Sequence, residues 1–156
     1  MKFLSILDPL ITRWMARNGI RFLRYSIAFI FIWFGALKFF PGLSPAEELA
    51  TGAISVLTFG LIPAAISLPL LAAFEMLIGI LILIDKLLRL TILMLLVQMV
   101  GTMSPIVLFP DLVFEVFPFA LTIEGQYIFK NFVVISAAIT IGATARGGRL
   151  DPEPSQ

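Results

Sequence analysis

Seven polar side chains fall inside or at the edges of long apolar stretches: Lys38, Glu75, Gln98, Thr102, Tyr127, Lys130 and Asn131. Glu75 interrupts "AAFEMLIGILIL", and a carboxylate near mid-bilayer costs about 2.5–3.5 kcal/mol even on the mildest scale. Such a group must pair with a cation, Lys38, Lys130 or both, or exchange a proton. Lys130 supplies a charge that can donate to a carbonyl or hold an anion. These two are the candidate catalytic residues. Lys38, Gln98, Thr102, Tyr127 and Asn131 add donors and acceptors that can orient a ligand, Asn131 offering both at once. Each has a plainer alternative. The lysines can snorkel to an interface, Glu75 can pair with Lys38 for structure alone, Gln98 and Thr102 can join helices, and Tyr127 can anchor at the interface.

The elements that carry these residues are set by four apolar stretches near residues 20–40, 66–84, 88–109 and 126–145. Each approaches the roughly 20 residues that a membrane-spanning helix needs. Residues three and four apart share a helix face. The resulting rows are Ala28, Phe31, Gly35 and Lys38; Leu68, Ala72, Glu75, Gly79 and Ile82; Thr91, Met94, Gln98, Gly101, Thr102 and Pro105; and Tyr127, Lys130, Asn131, Val134 and Ala138. Every row joins a polar group to small residues. Small residues let membrane helices approach and polar groups avoid lipid, so the four faces are expected to meet. At about 1.5 Å per residue, Lys38 stands about 21 Å from Arg24 along its span and Lys130 about 24 Å from Arg146. Both lysines therefore lie in one half of the bilayer, with Glu75 and Gln98 nearer its middle. The seven are expected to line one cavity.

Residues 45–59 fall between the first two spans, with too little chain for a fifth crossing. Ser44 reads as an N-cap, with Pro45 next and Glu47 closing a capping box on a short interfacial helix. Nine of the eleven basic residues gather at one end of the four spans. The positive-inside rule makes that end, and both termini, cytoplasmic. Residues 1–19 read as an amphipathic helix at that face, residues 20–146 as the membrane domain, and residues 147–156 as a disordered tail. In the segment 124–131, Gly125 reads as the turn out of the loop and Gln126 as the start of the fourth helix. The apolar loop "FPDLVFEVFPFALT" is a candidate lid.

Composition excludes much else. The chain of 156 residues is 60% hydrophobic and has no cysteine or histidine. Disulfides, thiol relays and Cys/His metal sites are thereby absent, and no intrinsic metal is expected. A net charge of +1 with no basic stripe argues against nucleic acid. No pair of spans shows the inverted repeats or broken helices of a small transporter.

The stretches "IFIWFGALKFFPGLSP", "AAFEMLIGILIL", "QMVGTMSPIVLFP" and "EGQYIFKNFVVI" resemble, in order and spacing over residues 20–146, the DoxX-like membrane proteins and the related small proteins implicated in reactive-chlorine resistance. The resemblance implies an all-α integral membrane four-helix bundle associated with respiratory or sulfur redox chemistry, since DoxX relatives include a subunit of a thiosulfate:quinone oxidoreductase. A sulfur relay on protein thiols does not carry over to a chain without cysteine. The expectation is a left-handed bundle in the inner membrane that holds a small hydrophobic molecule, quinone first, as a quinone-linked oxidoreductase or a subunit of one. The alternative is a non-catalytic scaffold whose polar cluster is structural. Expected partners are the lipid bilayer, the small hydrophobic molecule, and other membrane redox subunits or a second copy of the chain.

Overall fold

A computed structural model describes residues 2–44, 47–148 and 150. Helix α1 runs from Lys2 to Leu37 and α2 from Glu47 to Leu57; α3 spans Ala64–Leu83 and α4 spans Leu88–Met103. Short helices α5 (Pro105–Leu108) and α6 (Pro110–Val113) lead into a hairpin of β1 (Phe114–Val116) and β2 (Ala120–Leu121). Then come α7 (Ile123–Phe129), α8 (Asn131–Ala143) and a 3-10 turn at Ala145–Gly147. Four helical stretches are long and apolar enough to cross a membrane: Leu7–Leu37, Ala64–Leu83, Leu88–Leu108 and Ile123–Ala143.

The buried residues reproduce the inner face read for α3 in full and the others in part. On α3, Leu68, Ala72, Glu75, Gly79 and Ile82 are all buried. The bundle core adds Ile27, Ala28 and Phe31 from α1, Leu95 and Met99 from α4, and Val134, Ala138 and Ile141 from α8. Phe29, Trp33, Val97, Val100 and Val133 point away from it. Lipid tails are as apolar as leucine, so close packing and polar contacts, rather than apolar burial, join such helices.

Glycine makes the α1–α3 contact intimate. A Cβ at Gly79 would lie 2.7 Å from Ile32 Cγ1 and 2.9 Å from the Ala28 carbonyl oxygen. A Cβ at Gly35 would lie 3.1 Å from Glu75 Cβ. At the basic end the same two helices are clamped by Arg24, whose Nη2 donates to Asp85 Oδ1 at 2.8 Å and to the Ile82 carbonyl at 3.0 Å.

At the opposite, acidic end, where the loops carry Glu47, Glu48, Asp111, Glu115 and Glu124, a second, smaller core forms from Leu49, Val113, Phe114 and Ile128, with Phe109, Leu121 and Phe129 packed on it. The two loops on this end thus fold together as one layer joined to α7. The expected lid segment is a helix and hairpin whose tip residues Phe117 and Phe119 are exposed.

The structure corrects several expectations. The amphipathic N-terminal segment and the first span are one continuous helix, because neither Asn18 nor Gly19 leaves helical geometry; Asn18 Nδ2 donates to the Trp14 carbonyl. That helix stops at Leu37, so Lys38 sits in the turn after it. Gly125 is not a turn. Helix α7 starts earlier, at Ile123, because Thr122 Oγ1 accepts from the Gly125 N–H at 3.0 Å and caps it. Gly125 is buried in the first turn, where a Cβ would collide with the Val113 carbonyl oxygen. Spans three and four, read as unbroken, are each interrupted toward the acidic end. Pro105 has no N–H to continue α4, and Val133 N–H donates three residues back to Lys130 at 3.0 Å, tightening the α7–α8 junction. Around Ser44, Glu47 opens α2, but its carboxylate accepts from the Gly42 N–H at 2.8 Å instead of closing a box on Ser44. Pro45, Arg149 and the tail from Asp151 onward lie outside the described residues.

Candidate functional site

Glu75 lies on the inner face of α3, 8% exposed, held against α1 by the Gly35 contact. Its Oε2 accepts from Lys38 Nζ at 2.6 Å, and its Oε1 accepts from Gln98 Nε2 on α4 at 2.8 Å. Three helices are thereby tied at one carboxylate. Lys38 also donates to the Phe34 carbonyl at 3.3 Å, one of the orphan acceptors at the end of α1. A buried ion pair repays its desolvation only when the remaining polar atoms are also bonded. Here one is not. Gln98 turns its amide N–H toward the carboxylate, and its Oε1 is buried without a hydrogen-bond partner among the described residues.

Lys130 does not reach Glu75. It is exposed, and its Nζ stands 4.1 Å from the centre of the Tyr127 ring and 4.8 Å from that of Phe34. Both distances suit a cation–π contact. Phe34 thus serves both lysines, its carbonyl holding Lys38 and its ring facing Lys130. Spacing alone does not single it out among the many aromatic residues of the spans.

Tyr127, Lys130 and Asn131 do not share one inward face. The buried row runs Gly125, Ile128, Asn131, Val134 and Ala138, so Asn131 turns inward while Lys130 and Tyr127 stand at the rim. Asn131 is 7% exposed, and its amide forms no hydrogen bond among the described residues. Thr102 Oγ1 donates to the Gln98 carbonyl at 3.1 Å, within its own helix. The single cavity expected for all seven residues is therefore replaced by three parts. Lys38, Glu75 and Gln98 form a buried triad, Tyr127 and Lys130 a cation–π pair at the rim, and Asn131 a buried amide on α8.

The open cavity at this end lies elsewhere. It has a volume of about 650 Å³ and is lined by Ser44, Glu47, Glu48, Asp111, Thr122 and Glu124. None of the seven residues borders it. Among the described residues, no group of three or more carboxylates is placed to hold a metal ion.

A buried ion pair inside four apolar helices of spanning length defines a multi-pass membrane protein. The chain belongs to the DoxX family: the family's model, described as DoxX, matches residues 19–110, more than half of the sequence. That match holds Lys38, Glu75, Gln98 and Thr102 and ends before Tyr127, Lys130 and Asn131. No curated protein and no solved structure matches the chain.

Proposed function

We propose that this DoxX-family protein binds a small hydrophobic molecule with polar oxygens, a quinone, between the α1, α3, α4 and α8 helices toward the acidic end. The observation that carries the reading is the incomplete bonding of the buried polar centre. Gln98 Oε1 on α4 is buried without a partner among the described residues, and the mostly buried Asn131 amide on the facing helix α8 forms no hydrogen bond among them. Buried polar groups are almost always bonded, so the Gln98 orphan, beside an unbonded amide on a neighbouring inner face, supports a place for a polar guest. Apolar walls with a few convergent polar groups suit a ring with oxygen substituents. In this reading Asn131 and Gln98 orient the oxygens. Lys130 swings in from the rim to donate to a carbonyl or hold an anionic form, and Glu75 exchanges a proton or balances the charge of Lys38. Lys38, Thr102 and Tyr127 complete the lining. The activity would be that of a quinone-linked oxidoreductase or a subunit of one.

Lys130→Met is expected to remove quinone from the purified protein and leave it folded and monodisperse. Lys130→Arg is expected to weaken retention as well, because a guanidinium does not substitute for an ammonium in a shaped pocket. Chromatographic quantitation of extracted quinone against protein checks both. Equal quinone in the wild type and Lys130→Met would refute the role of Lys130, and no quinone in any of them would refute the binding reading.

A second reading is favoured by the closure of the triad. Lys38 and Glu75 satisfy one another at 2.6 Å inside packed helices, which suits a scaffold in a redox complex whose polar cluster only joins helices.

The proposed orientation places the acidic end outside an inner membrane and both termini in the cytoplasm, following the clustered arginines and lysines. Cysteines introduced at Ser44 and Asp111 are then expected to react with an impermeant thiol reagent in intact cells, and one at Asp85 to be protected. The reverse pattern would invert the topology.

A further inference from the structure

We propose that the basic end of the bundle carries a binding site for the headgroup of an anionic phospholipid, in a cavity between the α3–α4 turn and the end of α8. The cavity has a volume of about 440 Å³ and is lined by Asp85, Leu87, Arg89 and Leu90 from one side and by Thr144 and Arg146 from the other. This site is independent of the polar centre at the opposite end.

Its charge balance favours an anion. Asp85 is the one acid on its wall, and the carboxylate is already engaged by Arg24 at 2.8 Å. Arg89 and Arg146 meet no carboxylate among the described residues. Two guanidinium groups from separate elements thus line one hollow with no carboxylate of their own among the described residues. Guanidinium groups present planar pairs of donors that match phosphate oxygens.

The rest of the wall and its depth in the bundle favour a lipid over a free phosphate. Helix α4 begins at Leu88 and α8 ends at Ala143, so the cavity sits where two spans leave the apolar layer. Leu87 and Leu90 on the same wall are 66% and 50% exposed. Leucines beside arginines suit a molecule with an anionic head and acyl chains, and have no use for inorganic phosphate. Basic pockets between spans at headgroup level take anionic lipid heads on the same grounds.

The backbone around the hollow is also held in an uncommon form. Of the four non-glycine residues with positive φ among the described residues, Asp85 (58°), Leu87 (51°) and Arg146 (56°) all border it. Left-handed geometry disfavours side-chain-bearing residues, whose Cβ crowds the following carbonyl oxygen. Here it turns both chain segments so that they enclose the cavity.

The test is native mass spectrometry of the full chain from mixed micelles of equimolar phosphatidylglycerol and phosphatidylcholine. The wild type is expected to retain phosphatidylglycerol preferentially. The double variant Arg89→Gln/Arg146→Gln is expected to lose on the order of tenfold of that preference. Lys86→Gln, in the same turn but off the cavity wall, is expected to keep it. Neither arginine has a carboxylate partner among the described residues, and Arg146→Gln alone, which leaves α4 untouched, gives an intermediate loss should the double variant not fold. The proposal is overturned if the arginine variants keep the preference, or if Lys86→Gln loses it equally, which would mean diffuse attraction to a basic surface. It is also overturned if inorganic phosphate displaces phosphatidylglycerol at matched concentration, which would make the site one for a soluble anion.

Discussion

Glu75→Leu is expected to destabilise the protein by about 3–5 kcal/mol, the cost of leaving a buried charge without its partner. The substitution strips Lys38 of a 2.6 Å ion pair and Gln98 of its 2.8 Å acceptor, leaving both donors buried among three helices. Lys38→Met is expected to cost an amount of the same order, for the complementary reason. Replacing both partners together removes both charges, and apolar replacements of a buried pair are often neutral or stabilising. The double variant Lys38→Met/Glu75→Leu is therefore expected to be more stable than either single one. Equilibrium unfolding in mixed micelles completes this double-mutant cycle. Additive losses would show that the two side chains do not depend on one another, against the geometry.

Gly79→Val is expected to have the next largest effect, about 1–3 kcal/mol, the usual cost of overpacking a tight contact. The nearest atoms to its Cβ include the Ala28 carbonyl oxygen at 2.9 Å and the Ile32 nitrogen at 3.0 Å. Those are backbone atoms of α1, which cannot rotate away as a side chain would. The two helices must part, and Gly35 meets Glu75 one turn further along the same seam. The strain therefore also draws Lys38 away from Glu75. Gly101→Ala serves as the comparison, since a Cβ there meets nothing within 4 Å. It is expected to leave stability unchanged or raise it slightly, because alanine is the better helix former. Thermal unfolding of the two variants side by side checks both, and equal destabilisation would contradict the close-approach account.

The inner faces were legible because helical periodicity and the cost of polar groups in lipid act locally. The α3 row from Leu68 to Ile82 is buried at every position named from spacing alone. The existence of a partner for Glu75 was legible for the same reason, but the choice between Lys38 and Lys130 was not. That choice depends on where α1 stops and on which way α8 rotates. A one-position rotation separates the inward Asn131 from the outward Lys130. Gly125 was misread because its role is set by the carbonyl of Val113, twelve residues earlier, while the local pattern around a glycine suggests a turn. Thr122, three residues before it, was the overlooked cap. The hairpin at Phe114–Leu121 hides in an apolar run with no polar alternation. Its partner strands share a small core with α2 and α7, which no local signal announces. The cation–π seat of Lys130 was missed because aromatic rings in a membrane protein are expected everywhere, and spacing does not single out Phe34.

The central claim is that the incompletely bonded centre around Glu75 and Gln98 holds a guest and does more than join helices. The most direct measurement is the quinone content of the wild type and of Lys38→Met/Glu75→Leu, purified identically and extracted for mass spectrometry. The paired substitution removes both charges and is expected to leave the bundle folded, so that loss of ligand is separated from loss of fold. The account predicts quinone in the wild type and a folded, empty double variant. Equal quinone in both proteins, or none in either, would contradict it and leave the polar cluster as a structural joint.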